Sequence, residues 1–212
     1  HRLDRIDWLV AIAMFVGALV VRWPLIERGQ TLLHSDEAIV GIMAQDISAG
    51  RHYPIYFYGQ RYMGALEAYV VAAVAPIFGE PMHALRFAPA LFFAMMTAVQ
   101  YLMLTRWFGR HGGLVGAASL LAASPMMAQW SVSARGGYIE VMAVGTLLLF
   151  AYGEWFAARS ASPSRGQRFT FGLLIGLGLW INPSIVIFLA PIALHQLLNR
   201  PLARVARLGI VN

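Results

Sequence analysis

The sequence predicts an all-α fold, a polytopic transmembrane helical bundle of about six spans. The first observation is composition: of 212 residues, 59% are hydrophobic and 12% are charged, whereas soluble domains carry about 25% charged residues. The second is a series of apolar runs close to the roughly 20 residues that a helix needs to cross the hydrocarbon core. The third is the placement of tryptophan and arginine, which gather near the ends of these runs and in the loops between them.

Four apolar runs are long enough for a full span. They are Trp8–Ile26, Ala84–Thr105, Gly112–Trp130 and Tyr138–Ala158. A fifth region, Phe169–Leu198, is interrupted at Asn182–Ser184, where a proline disfavours a continuous helix. We therefore expect a tight hairpin of two short spans in this region.

The basic residues indicate orientation. All sixteen are arginine, the net charge is +6, and cysteine is absent, which excludes disulfides and thiol chemistry. Arginines in short loops suit membrane orientation and phosphate headgroups better than nucleic acid. Three groups are expected on the cytoplasmic side: Arg106 with Arg110, Arg159 with Arg165 and Arg168, and Arg200 with Arg204 and Arg207.

The ends of the chain suggest a fragment. The first apolar run is too long for a cleaved signal peptide, and no small-residue cleavage site follows it. The chain begins at His1 and ends on an apolar stretch. We therefore expect these residues to be part of a longer protein.

The segment Tyr62–Gly79 has two interpretations. Arginine counting slightly favours a span, but Glu67 is costly in a bilayer centre and Pro76 weakens a continuous helix. Its apolar residues recur near helical spacing, so one face can lie on the membrane surface instead. The residues alone favour the non-spanning interpretation.

The loop at residues 27–83 holds most of the acids of the chain. Ser35 is a suitable N-cap, Asp36 and Glu37 would occupy the first helical turn, and Gly50 would end the helix. Both acids are explained if they only complement the helix dipole. The alternative is that one carboxylate is a general base, held rigidly at the membrane surface by a helix start that favours its anion.

Three stretches of this region resemble a known family. "HSDEAIVGIMAQDISAG", "YGQRYMGALEAYVVAAVAPIFGE" and "HALRFAPALF" are similar to bacterial relatives of protein O-mannosyltransferases and lipid A aminoarabinose transferases, which are polyprenyl-phosphate-sugar-dependent glycosyltransferases of the GT-C superfamily. The resemblance covers roughly residues 1 to 200. It implies one glycosyltransferase module over residues 1–212 in the cell (inner) membrane. Residues 27–83 would be its catalytic extracytoplasmic loop, and Tyr62–Gly79 would be a juxtamembrane interfacial segment.

The resemblance also implies site residues. By position, Asp36 is expected to be the catalytic base and Glu37 its partner. The second juxtamembrane segment would supply residues near the lipid phosphate: Gln60, Arg61, Tyr62 and Glu67. The family often carries an acid in the next extracytoplasmic loop, where Glu140 is an imperfect match.

The chemistry of transfer suggests further residues. A prenyl phosphate gains charge as it leaves, and arginine pairs with phosphate, so Arg61 and Arg135 are candidates to offset that charge. A single displacement with Asp36 as base would invert the sugar. Tyr58, with Tyr53 and Tyr56, would stack on sugar, line the prenyl entry or form an interfacial aromatic belt.

The expected partners are a polyprenyl-phosphate-linked sugar donor, an unknown hydroxyl acceptor and the lipid bilayer. No cofactor is expected. His34 and His52 could hold a divalent metal with Asp36, but no ligand spacing supports a structural site. The alternative function is a transporter or flippase of lipid-linked substrates, or a membrane scaffold. Transporters place functional charges inside their spans, and the spans after residue 84 have almost none.

Overall fold

The computed structural model describes residues 2–28, 33–157 and 162–207. Eight α-helices occur in these ranges: α1 Arg5–Arg28, α2 Ser35–Ser48, α3 Leu66–Val74, α4 Pro81–Leu121, α5 Pro125–Trp130, α6 Tyr138–Tyr152, α7 Arg165–Ile181 and α8 Val186–Arg207. Extended structure in the described residues is limited to an isolated bridge between Tyr56 and Gly64. The predicted all-α class is therefore confirmed.

Helix α4 is a hairpin of two limbs rather than one rod. Gly109 has φ 77° and ψ 174°, a conformation that breaks a helix and that glycine adopts without steric cost. The limbs 81–108 and 110–121 then pack side by side, with Gly113 against Thr105 and the Gln100 side chain donating to the Gly116 carbonyl at 2.9 Å. The limbs correspond to the predicted spans Ala84–Thr105 and Gly112–Trp130, and α5 completes the second.

Contacts between α1 and α4 show that these two helices lie side by side and define the two ends of the bundle. Arg86 donates to the carbonyl of Ile26 at 3.3 Å, whereas Arg110 donates to Asp7 at 2.7 Å. Helix α1 is therefore antiparallel to the first limb of α4. We call the end with Ile26 and Arg86 the loop end, and the end with Asp7 and Arg110 the turn end.

The C-terminal helices form the predicted hairpin. Helix α7 is antiparallel to α6, because Ile181 packs on Gly137 and Phe171 on Tyr152. Helix α8 returns in the opposite direction, with His195 beside Tyr152. Between them, the Asn182 side chain caps a short 3-10 turn, Pro183–Ile185, by accepting from Ser184 N–H at 2.9 Å.

The segment Tyr62–Gly79 does not cross the bundle. Gly64 N–H donates to the Ile181 carbonyl at 3.0 Å, and Phe78 packs on Trp23 and Phe87. Both contacts lie at the loop end, and the apolar helical stretch between them, Leu66–Ile77, is too short for a span. The structure agrees with the non-spanning interpretation, and the interfacial placement stays a prediction.

Three described helical stretches are long and apolar enough to cross a membrane: Arg5–Glu27, Pro81–Leu121 and Tyr138–Ala157. The count of six spans stays a prediction. The three predicted arginine groups lie toward the turn end, on the α4 turn, at the start of α7 and at the end of α8. Arg159 and Ala158 lie outside the described residues.

Candidate active site at the loop end

The start of α2 is fixed by a reciprocal cap. His34, not the expected Ser35, is the N-cap, and its Nδ1 accepts from Asp36 N–H at 3.4 Å. The Glu37 carboxylate accepts from His34 N–H at 2.9 Å. An imidazole nitrogen can accept this bond as a hydroxyl would, which shifts the helix start by one residue. The cap leaves Asp36 at the helix start with 31% of its side chain exposed, close to His34 Nδ1 at 3.6 Å.

A polar cavity of about 560 Å³ opens beside this helix start. Helix α2, the N-terminal part of α4, α5 and the segment 131–137 form its walls. Its polar lining residues are His34, Glu37, Arg86, Gln129, Ser133 and Arg135. Asp36 lies between His34 and Glu37 in sequence, on the same helix start, and is not among the residues that line this cavity. The structure therefore brings two of the predicted site residues, Glu37 and Arg135, to one cavity, and the role of Asp36 stays a prediction.

Two arginines give this cavity a positive wall. Arg86 is half-buried in the first turns of α4, and its guanidinium donates to the Ile26 carbonyl at 3.3 Å. Arg135 lies 5.8 Å from the Trp130 ring centroid, and its Nε is buried without a hydrogen-bond partner among the described residues. A buried unpaired donor is costly, so the cavity is suited to an anionic group.

An apolar groove of about 690 Å³ meets the polar cavity. It runs between α2, α3 and the start of α4, and Leu33 and Glu37 line both spaces. Ala38, Ile42, Val71, Met82 and Leu85 are among the apolar residues that form its walls. An elongated apolar molecule in the groove would thus present its polar end beside Glu37.

Glu67 and Glu140 are not in the cavity. Glu67 is 3% exposed and Glu140 is fully buried, so their predicted role in substrate binding is not supported by their position. Glu67 accepts from Gly136 N–H at 2.8 Å, and the two carboxyl groups interact. Sequence spacing could not reveal the hydrogen bond between Glu67 and Gly136, because 69 residues separate them.

The environment of Glu67 favours its protonated form. Burial, followed by the nearby Glu140 carboxyl, raises the pKa of Glu67 well above 4.5, despite the backbone N–H groups of Gly136 and Gly137. Apolar side chains from α2 and α4, including Met43 and Leu85, pack around α3. The protonation of Glu67 is therefore coupled to that of the neighbouring Glu140 carboxyl group.

This shift predicts how stability depends on pH. Because the folded-state pKa of Glu67 is raised, its contribution to stability is full below pH 4.5 and is lost as pH rises through the folded-state value. We expect Glu67→Gln to flatten the decline of the melting temperature between pH 4.5 and neutral pH, as measured by thermal unfolding in detergent. The exposed Glu80→Gln is the control. If the melting temperature declined with pH at the same slope in Glu67→Gln and in the wild type, the raised pKa would not belong to Glu67.

The remaining predicted residues lie on a hairpin at residues 51–64, which we call the aromatic hairpin. Tyr58 donates to Asp46 at 2.9 Å and pairs with His52 at the same distance. Burial, followed by this bond to Asp46, raises the pKa of Tyr58. Tyr58 therefore ties the hairpin to α2. Gln60, Arg61 and Tyr62 occupy the hairpin tip, where Arg61 and Tyr62 are exposed and none of the three lines the polar cavity.

The comparison with family profiles matches residues 64–209 to dolichyl-phosphate-mannose-protein mannosyltransferase. The chain belongs to this family. The predicted GT-C resemblance is thereby confirmed, and the family is one of membrane glycosyltransferases. The matched range includes Arg86 and Arg135 and leaves Asp36 and Glu37 outside. Searches of curated proteins and of solved structures find no match.

Of the three predicted metal ligands, His34 and Asp36 lie together at the start of α2, whereas His52 lies near the other end of that helix. His52 is engaged with Tyr58 on the aromatic hairpin, whereas His34 caps α2. Among the residues that the structure describes, no three His, Asp or Glu side chains are grouped to hold a metal.

Sequence reasoning missed Arg86 as a site residue. Arg86 stands near the start of the predicted span Ala84–Thr105, in the run "HALRF". An arginine inside the first two turns of an apolar helix is a usable signal, because it must reach a polar partner or a cavity. Its proximity to Arg135 is a tertiary fact that only the folded helices provide.

Proposed function

We propose that this chain transfers a sugar from a polyprenyl-phosphate donor to an acceptor hydroxyl, by a single displacement that inverts the anomeric centre. The observation that carries the proposal is the junction at Glu37. There an apolar groove meets a polar cavity that contains two arginines, beside the carboxylates of a helix start. Family membership supports glycosyl transfer, and this junction supports the lipid-linked donor.

The donor fits the two spaces in a defined orientation. Its prenyl chain would occupy the apolar groove, reached sideways from the bilayer, and its phosphate would lie between Arg86 and Arg135. Guanidinium groups pair with phosphate oxygens through two parallel hydrogen bonds. This moves the phosphate site from the predicted Arg61, which is exposed on the hairpin tip, to Arg86 together with the predicted Arg135.

The reaction is balanced without a cofactor. Asp36 takes the proton of the acceptor hydroxyl while the hydroxyl oxygen attacks the anomeric carbon. The bond between that carbon and the phosphate oxygen breaks, and prenyl phosphate leaves with the electron pair. Arg86 and Arg135 offset the charge that develops on the leaving phosphate. Glu37 and His34 hold the α2 start and thereby the position of Asp36.

The membrane placement follows the arginine groups. These lie toward the turn end, which we assign to the cytoplasm. The loop end, with the polar cavity, then faces the extracytoplasmic side of the inner membrane. The donor headgroup would be presented there, and acceptors of the cell envelope would approach from the same side.

The proposal is tested by release of free prenyl phosphate. Purified full-length protein is incubated with a polyprenyl-phosphate hexose or pentose and hydroxyl acceptors. Prenyl phosphate and glycosylated acceptor should form in equal amounts. Movement of intact lipid-linked sugar across vesicles, without release of prenyl phosphate, would instead indicate the flippase alternative.

The arginine assignment predicts a contrast between two variants. Arg86→Ala should raise the KM for the lipid donor by at least about tenfold, because it removes a charged hydrogen-bonding partner worth roughly 1.5–3 kcal/mol. Arg61→Ala removes the same side chain at the exposed hairpin tip and should leave this KM within about twofold. Donor kinetics at saturating acceptor measure both. Equal effects of the two changes would remove Arg86 from the phosphate site.

A further inference from the structure

The buried acids Glu67 and Glu140 call for a physical explanation. Two carboxyl groups in a low-dielectric site cannot both ionise cheaply, and polar groups there are costly unless they are hydrogen-bonded. Both oxygens of Glu140 lack a donor among the described protein groups, so a proton shared with Glu67 is the hydrogen bond open to this pair. Glu67 also makes hydrogen bonds to nearby backbone groups.

One of those bonds reaches the wall of the polar cavity. Glu67 on α3 accepts from Gly136 N–H at 2.8 Å and also receives a backbone bond from Gly137. Gly136 directly follows Arg135, whose guanidinium lines the cavity. The carboxylate therefore fixes the backbone of the residue next to the cavity arginine.

The backbone at this point is unusual. Gly136 and Gly137 have φ of 77° and 96°, which side-chain-bearing residues rarely adopt. A Cβ on Gly137 would lie 2.8 Å from Ile181 Cγ2, and one on Gly136 would lie 3.0 Å from Met63 Cε. The segment is thus held in a left-handed conformation within a crowded space, where the N–H groups must point at their acceptor.

Arg135 has few contacts of its own. Its Nε is buried without a hydrogen-bond partner among the described residues, and its guanidinium only approaches the Trp130 ring. Its direction is therefore set chiefly by its backbone. We propose that Glu67, together with Glu140, is a positioning residue that holds Arg135 in the polar cavity through the Gly136 N–H. This inference rests on the proposed function, since it treats the cavity as the site of the donor phosphate.

The test is a double-mutant cycle on the binding of farnesyl phosphate to the purified protein in detergent. Glu67→Met keeps the volume of the side chain and removes the acceptor, so it should weaken binding about tenfold. Arg135→Ala should weaken binding to a similar extent. The combined variant should lie within about twofold of Arg135→Ala alone, because both changes act on one contact.

Two matched variants separate positioning from general damage. In an Arg86→Ala background, Glu67→Met should still cost about tenfold, since Arg86 does not depend on Gly136. Glu67→Gln should bind within about twofold of wild type, because its amide oxygen can accept the Gly136 N–H. Losses that multiply in the Arg135→Ala background, or wild-type binding by Glu67→Met, would overturn the inference.

A second measurement leaves Glu67 unchanged, in case Glu67→Met does not fold. Linkage is reciprocal, so farnesyl phosphate should slow hydrogen exchange of the Gly136 amide in the wild type and have no such effect in Arg135→Ala. Binding without protection in the wild type would overturn the inference. Neither experiment needs turnover, so a failure of sugar transfer in the wild type would count against the proposed function alone.

Discussion

Asp36→Asn should lower sugar transfer by at least about 100-fold, while the protein stays folded. A general base contributes roughly 10²–10⁴ to rate, and asparagine cannot accept the proton of the acceptor hydroxyl. The side chain of Asp36 is partly exposed and lies 3.6 Å from Nδ1 of the exposed His34, so the loss of its charge should change the melting temperature little. The measurement is kcat for transfer at saturating donor and acceptor.

The matched control for this variant is Asp46→Asn. Asp46 lies near the other end of α2, away from the helix start, and accepts hydrogen bonds from Arg51 and Tyr58. The same change of charge on the same helix should leave kcat near the wild-type value. Full activity in Asp36→Asn, or equal losses in both variants, would end the assignment of Asp36 as the base.

Arg22→Met should cause the largest loss of stability. Arg22 is 3% exposed within α1. It donates to Ser131 Oγ at 2.8 Å and to the carbonyls of Leu120 and Leu121 at 3.1 and 3.2 Å. Methionine fills much of the same space but leaves these acceptors unpaired. With charged hydrogen bonds worth roughly 1.5–3 kcal/mol each, we expect a loss of about 3 kcal/mol.

The loss would appear as a lower melting temperature in detergent, by roughly 6–12 °C for a chain of this size. Arg22→Lys should be intermediate, because a lysine keeps the charge but not the planar fork that reaches three acceptors. Arg61→Met, at the exposed hairpin tip, is the control and should melt like the wild type. A wild-type melting temperature in Arg22→Met would show that this arginine does not hold α1 to the end of α4.

The sequence predicted the helical architecture well because apolar periodicity and helix breakers are local signals. The proline after Asn182 marks a turn that the structure contains, and Gly109, which breaks α4, lies in the gap between the predicted spans Ala84–Thr105 and Gly112–Trp130. The acidic start of α2 was also located, with the cap displaced by one residue to His34. The hydropathy pattern places Arg22 inside the predicted span Trp8–Ile26. A local average of hydropathy cannot show that its guanidinium donates to carbonyl groups of another helix.

The sequence offers site candidates only where chemistry and local structure coincide, and the roles of those candidates stay predictions. Asp36 and Glu37 are consecutive on a helix start, so one local feature identified both. The sequence suggested Arg61 as a phosphate partner because it lies on the segment expected near the lipid phosphate. In the structure Arg61 is exposed at the tip of the aromatic hairpin. The positions of Glu67 and Arg86 depend on how α3 and α4 pack against segments distant in sequence. The spacing of residues along the chain does not indicate those contacts.

The central claim is that the donor phosphate lies between Arg86 and Arg135, beside the start of α2. The most direct test is an experimental structure of the full-length protein with a bound prenyl phosphate. We predict phosphate density within hydrogen-bonding distance of both guanidinium groups, with the prenyl chain along the groove between α2, α3 and α4. A phosphate bound at the turn end, near Arg106 and Arg110, with an empty polar cavity would contradict the claim.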